Sequence, residues 1–137
     1  MFFNTQDRKI HFGLLFMRIG LAALLLLHAL PKLLAGMNAW KSVGTTLAFI
    51  NIGVPESFLG LTILALEALG GISLVFGYFF RVGCVILFII FGLYTFNYFM
   101  IEYNTLTLWS LGLVAVFFGF IFTGPGRYAI AVKLEKK

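Results

Sequence analysis

The sequence is poor in the residues that build disulfides, metal sites and haem sites. Cys84 is the only cysteine among 137 residues, which excludes an intramolecular disulfide, a CxxC redox pair and a thiolate metal cluster. The two histidines, His11 and His28, lie on or near one predicted helix, without an acidic residue at ligand spacing. We therefore expect no metal and no haem, since a bis-histidine haem would need two subunits.

Charged residues are also scarce. They make up 11% of the chain, against 61% hydrophobic and 18% aromatic residues, and the mean hydropathy is +1.04. This composition excludes a soluble domain of this size and points to a lipid bilayer as the surroundings. The net charge is +5, but no basic amphipathic face or exposed aromatic platform accompanies it, so we expect no nucleic-acid partner.

Four hydrophobic stretches are long enough to cross a bilayer, which takes about 20 apolar residues. These windows are 12–34, 58–79, 82–100 and 106–123. The connection between the first two is the only long one, and Trp40, Val43 and Leu47 recur in it at helical spacing. The sequence therefore predicts an all-α fold in a single domain: a four-helix transmembrane bundle with a short interfacial helix between helices one and two.

Most positive charges fall on one side of the predicted bundle. They are Arg8, Lys9, Arg81, Arg127, Lys133, Lys136 and Lys137. The opposite side holds only Lys41 and, at a helix end, Lys32. Because cytoplasmic loops carry an excess of lysine and arginine, we expect both chain termini in the cytoplasm.

Two ionisable residues, Arg18 and Glu67, lie deep inside predicted spans. A charge at the centre of a membrane helix costs about 2.5–3.5 kcal/mol even on lenient insertion scales, so such residues usually face a bundle interior. At about 1.5 Å of rise per residue, His28 on the first span and Tyr94 and Asn97 on the third reach levels that overlap with Glu67. We expect a polar site between these helices.

Two interpretations of Arg18 and Glu67 are open at this point. In one, the two side chains form a structural ion pair between the first two spans, and Asn97 or Tyr94 hydrogen-bonds the carboxyl. In the other, Glu67 exchanges protons, and the donors around it bind a ligand oxygen. The second interpretation makes Glu67 and His28 the candidate catalytic residues. The candidate ligand-binding residues are Arg18, Lys32, Tyr94 and Asn97.

Two of these candidates have simpler explanations. Pro31 removes a backbone donor and frees the carbonyl of Leu27, so His28 beside it is explained as a satisfied polar residue. Lys32 is explained as a side chain that extends to the headgroups at the end of its helix.

One set of residues keeps a characteristic order from the first span to the turn after the fourth. It consists of Arg18, Ile19, Gly20, His28, Pro31, Lys32, Leu33, Gly36, Gly53, Val54, Pro55, Glu67, Gly70, Gly71, Arg81, Gly124, Pro125, Gly126, Arg127 and Tyr128. In this order and spacing the chain resembles the DoxX family of small bacterial four-helix membrane proteins. The resemblance implies an inner-membrane protein related to the membrane subunit of thiosulfate:quinone oxidoreductase, in a family whose other members are associated with oxidoreductase complexes that handle thiol or oxidative stress.

Three functions compete at this stage, and whether the chain is an enzyme is left open. The first is the quinone-linked membrane subunit of an oxidoreductase complex. A quinone needs hydrogen-bond donors at its carbonyls and takes up protons on reduction, which the polar site could supply. The electrons would come from a partner protein. The second is a non-enzymatic membrane anchor, scaffold or assembly factor for partner enzymes. The third, a solute carrier formed by a homo-oligomer, is disfavoured because the sequence has neither inverted repeats nor paired broken helices.

Overall fold

The computed structural model describes residues 5–129, and this range folds into five α-helices without a strand. They are α1 (Thr5–Ala35), α2 (Met37–Thr46), α3 (Glu56–Phe76), α4 (Phe80–Met100) and α5 (Asn104–Thr123), with one 3₁₀ turn at Ala48–Ile50. α1, α3, α4 and α5 are long and apolar enough to cross a membrane. The predicted all-α, four-span fold is confirmed. Lys133, Lys136 and Lys137, which contribute to the predicted orientation, lie outside the described residues.

The first helix is longer than the hydrophobic window predicted. α1 has 31 residues and includes Pro31 without ending there. At about 1.5 Å per residue its length is about 46 Å, whereas a hydrocarbon core is about 30 Å thick. We therefore expect the first turns of α1, which carry Arg8 and His11, to extend beyond the hydrocarbon towards the headgroups.

The helices pack with α3 and α4 at the centre of the structure. α1 packs on α3, α5 packs on α4, and α3 and α4 pack on each other. Leu25, Leu64, Leu74, Leu87 and Phe117 are completely buried between them. Because α1 and α4 both contact α3, polar residues at the same level of these three helices come together.

The predicted short helix between the first two spans is present as α2, which packs against α3. The indole Nε1 of Trp40 donates a hydrogen bond of 3.1 Å to the carbonyl of Leu33, which ties α2 to the end of α1. The contact with α3 is very close: a Cβ placed on Gly60 would lie 1.7 Å from the Trp40 carbonyl oxygen, and one on Gly44 would lie 1.8 Å from the Glu56 carbonyl oxygen. Two glycines thus allow backbone to meet backbone at one end of the bundle.

Replacing Gly60 with alanine is expected to lower the free energy of unfolding by about 2–3 kcal/mol, because the added methyl group overlaps the backbone of α2. Equilibrium unfolding in mixed detergent micelles, followed by tryptophan fluorescence, measures the change. Gly119→Ala on α5 is the matched control, since a Cβ there has nothing within 4 Å. Alanine is the better helix former, so the control should be neutral or more stable by up to about 1 kcal/mol. Equal destabilisation of both variants would contradict the close contact.

Candidate functional site

The most unusual residue inside the bundle is Glu67, near the middle of α3. Its side chain is completely buried. Neither carboxylate oxygen forms a hydrogen bond with any residue in the described range. Burying a polar group without a hydrogen bond costs free energy, and such groups in native proteins mark strain, ordered water or function. The unsatisfied carboxylate oxygens of Glu67 therefore mark a candidate functional site.

His28 and Lys32 of α1 approach the Glu67 carboxyl from one side. The imidazole Nε2 of His28 lies 3.9 Å from Glu67 Oε2. The ammonium of Lys32 donates a hydrogen bond to the same Nε2 at 3.0 Å, which places the ring proton of a neutral His28 on Nδ1. The side chain of His28 is 44% exposed, so the group extends from the buried carboxyl to the surface of α1.

Tyr94 of α4 faces the carboxyl from the other side. It is almost completely buried and interacts electrostatically with the Glu67 carboxyl. Its ring stacks on Tyr98 with centroids 6.2 Å apart and meets Phe91 edge-on at 5.6 Å. These aromatic contacts hold the Tyr94 phenol in place.

We refer to Glu67, His28, Lys32 and Tyr94 as the carboxyl cluster. The structure brings these four predicted site residues together, and Tyr98, which the sequence reasoning missed, also interacts electrostatically with Glu67. The signal for Tyr98 was its spacing, since it follows Tyr94 by one helical turn. Lys32, explained above as a residue that extends to the headgroups, bonds instead to His28.

Asn97 was also expected near Glu67. It is half-buried on α4, but its side chain forms no hydrogen bond with Glu67 or with another residue between 5 and 129. Asn97 therefore does not hydrogen-bond the carboxyl as predicted, whereas Tyr94, the other predicted partner, interacts with it. On α4, Tyr94 alone is both buried and electrostatically coupled to Glu67.

Arg18 lies away from the carboxyl cluster, at the C-terminal end of α3. Its Nε and Nη2 donate hydrogen bonds of 2.9 Å to the carbonyl oxygens of Leu74 and Val75. Its Nη1 donates to the carbonyl of Pro125, and the guanidinium lies 5.8 Å from the ring centroid of Phe80. Leu74 is seven residues beyond Glu67, a distance of about 10 Å along the helix.

The predicted ion pair between Arg18 and Glu67 is therefore wrong. The last carbonyl groups of a helix have no partner within the helix, and inside a membrane water does not satisfy them. Arg18 supplies that partner for the last turn of α3 and also holds the chain after α5. Its three donor contacts with backbone oxygens describe a structural clamp rather than part of the carboxyl cluster.

The residues described here coincide with a known family pattern. A sequence model of the DoxX family matches residues 13–125. The chain belongs to the DoxX family. The matched range includes Arg18 and every member of the carboxyl cluster, and this DoxX protein, with four apolar helices of spanning length, is a multi-pass membrane protein.

No curated protein sequence and no solved structure matches this DoxX chain. Within the described residues, no three histidine, cysteine, aspartate or glutamate side chains are close enough to hold a metal ion. The chemistry of the carboxyl cluster therefore has to be inferred from its own geometry.

Proposed function

We propose that this DoxX protein is the membrane subunit of a quinone-linked oxidoreductase complex in the bacterial inner membrane, and that the carboxyl cluster is where a quinone exchanges protons. The observation that carries the proposal is the Glu67 carboxyl, which is completely buried while both of its oxygens lack a hydrogen bond from the described residues. The Glu67 carboxyl can still form hydrogen bonds, and it lies inside the membrane next to hydrogen-bond donors. It is therefore suited to bind the polar head group of a ligand that diffuses through lipid.

The residues of the carboxyl cluster fit the head group of a quinone. A protonated Glu67 can donate to a carbonyl oxygen, and an ionised one can accept from a hydroxyl group, so the same side chain serves both redox states of the ligand. Lys32 and the phenol of Tyr94 are further donors. When bound, the quinone supplies the two-electron, two-proton chemistry.

The chain's own residues would manage the protons. Glu67 would hold and release a proton next to the ligand, and His28, whose Nε2 is 3.9 Å away, lies between the carboxyl and the exposed surface of α1. Lys32 positions the imidazole through its 3.0 Å hydrogen bond. A partner protein would supply the electrons, because one cysteine cannot form a dithiol redox pair within the chain.

We further propose that both termini face the cytoplasm. Arg8 and Arg127 line one cavity. The guanidinium of Arg81 lies near Gly124, three residues before Arg127. This clustering of arginines at one end of the bundle supports the orientation, since positive residues are retained on the cytoplasmic side.

Glu67→Gln tests the proposal, because the amide keeps the size of the side chain and cannot exchange a proton. We expect quinone-dependent respiration of membranes containing the variant to fall by about 100-fold or more, the usual contribution of a positioned acid or base. Mass spectrometry of the gently purified wild-type protein should detect bound quinone. Glu102→Gln is the control, since Glu102 is an exposed carboxyl in the turn after α4.

The absence of bound quinone together with full activity of Glu67→Gln would remove the proposal. Such a result would favour the second candidate, a non-enzymatic anchor, scaffold or assembly factor. The observation behind this alternative is the small share of α1 and α5 that is buried within the chain, which leaves broad apolar faces on both helices for a partner's helices.

A further inference from the structure

A second group of polar side chains lies at the opposite end of α1 from the carboxyl cluster. Arg8 and His11 of α1, together with Arg127 and Tyr128 after α5, line a cavity of about 140 Å³. We call this cavity the basic pocket. Each of these four lining side chains carries a hydrogen-bond donor, and none of the lining residues within the described range 5–129 is acidic.

The basic pocket is a built feature rather than a chance meeting of two surface segments. The backbone N–H of Arg127 donates a hydrogen bond of 3.4 Å to Nδ1 of His11, across 116 residues of sequence. Arg18 holds the carbonyl of Pro125, two residues earlier in the same segment. The segment after α5 is thus fixed against α1 at two points.

The hydrogen bond from Arg127 also determines which imidazole nitrogen of His11 is a donor. Because Nδ1 of His11 accepts the backbone N–H, the proton of a neutral imidazole is on Nε2, which makes this nitrogen a donor. The pocket is therefore lined by two guanidinium groups, an imidazole N–H and a phenol O–H. Guanidinium groups bind phosphate oxygens through paired, charge-assisted hydrogen bonds.

The depth of the basic pocket selects the source of the phosphate. Arg8 and His11 belong to the part of α1 that extends beyond the hydrocarbon, the level at which lipid phosphates lie. Basic pockets between transmembrane helices on the cytoplasmic side bind anionic head groups. We propose that the basic pocket binds the phosphate of an anionic phospholipid, an inference that rests on the proposed orientation of the termini but not on the quinone chemistry of the carboxyl cluster.

The test is a titration of the purified protein, in neutral detergent, with phosphatidylglycerol. Phosphatidylcholine of the same chain length is the reference lipid, and native mass spectrometry detects the bound lipid. We expect preferential binding of phosphatidylglycerol. Arg8→Gln should weaken that binding about fivefold to tenfold. Lys9→Gln is the matched control, because it removes an equal charge from the neighbouring residue, which does not line the pocket, and it should change binding less than about twofold.

Two results would overturn the inference. Equal losses in Arg8→Gln and Lys9→Gln would show that the attraction is general surface charge, with no defined pocket. Full displacement of phosphatidylglycerol by an equal concentration of inorganic phosphate would assign the pocket to free phosphate instead of a lipid. Arg127→Gln repeats the test from the other side of the pocket, and an unchanged thermal midpoint in each variant ties a loss of lipid to the pocket and not to unfolding.

Discussion

Replacing Arg18 with methionine is expected to lower the free energy of unfolding by about 3–5 kcal/mol, the largest stability loss we predict for a single substitution in this chain. Methionine fills a similar space but leaves the carbonyls of Leu74, Val75 and Pro125 without their donor. Buried polar groups that lose a charged partner bear the full cost of desolvation. Equilibrium unfolding in mixed micelles or bicelles measures the loss.

Two comparisons identify the cause of this loss. Arg18→Lys keeps the positive charge, but one ammonium cannot reproduce the planar fork of a guanidinium, so we expect it to recover less than half of the lost stability. In a double-mutant cycle, Arg18→Met and Glu67→Gln should be additive within about 0.5 kcal/mol, because the two side chains share no partner. A coupling energy well above this value would contradict the structure and support an ion pair between Arg18 and Glu67.

Replacing Glu67 with methionine is expected to have the opposite effect on stability. Removing a buried ionisable group that no described residue hydrogen-bonds should raise the free energy of unfolding by about 1–2 kcal/mol. Methionine has a similar length and adapts to irregular space in a core. The same variant should lose quinone-dependent activity as completely as Glu67→Gln does, which separates the functional role of the carboxyl from its role in the fold.

Glu67→Gln provides the control for stability. Its amide is also polar and would also lack partners, so we expect its unfolding free energy to stay within about 1 kcal/mol of wild type. A marked loss of stability in Glu67→Met would mean that the carboxyl holds the fold together, and the case for a ligand site would fail.

Hydropathy was sufficient to predict the fold because each span needs a long apolar stretch and the chain has four of them. The short α2 was also predictable from the helical spacing around Trp40. The extension of α1 to Thr5 was not, because a helix that leaves the bilayer loses its apolar signature while keeping its hydrogen bonds. The close packing of Gly44 and Gly60 requires a helix crossing that spacing alone does not determine.

The polar interior was predicted in part. Depth along the helices placed His28, Tyr94 and Glu67 at similar levels, and the structure brings them together. The same reasoning put Arg18 about 9 Å nearer the inner face than Glu67, a separation that argues against a pair. The unsatisfied groups at the level of Arg18 are the last backbone carbonyls of the second span. The lack of hydrogen bonds to the Glu67 carboxylate depends on side-chain orientation, which no sequence pattern specifies.

The clamp formed by Arg18 imposes an order on biogenesis. Its contact with Pro125 spans 107 residues, so the first helix is synthesised and delivered to the bilayer long before its most distant partner leaves the ribosome. Until then the guanidinium has to be sheltered by water, headgroups or the insertion machinery, because hydrocarbon alone would reject it. The final seating of α1 therefore waits until the segment after α5 has been made.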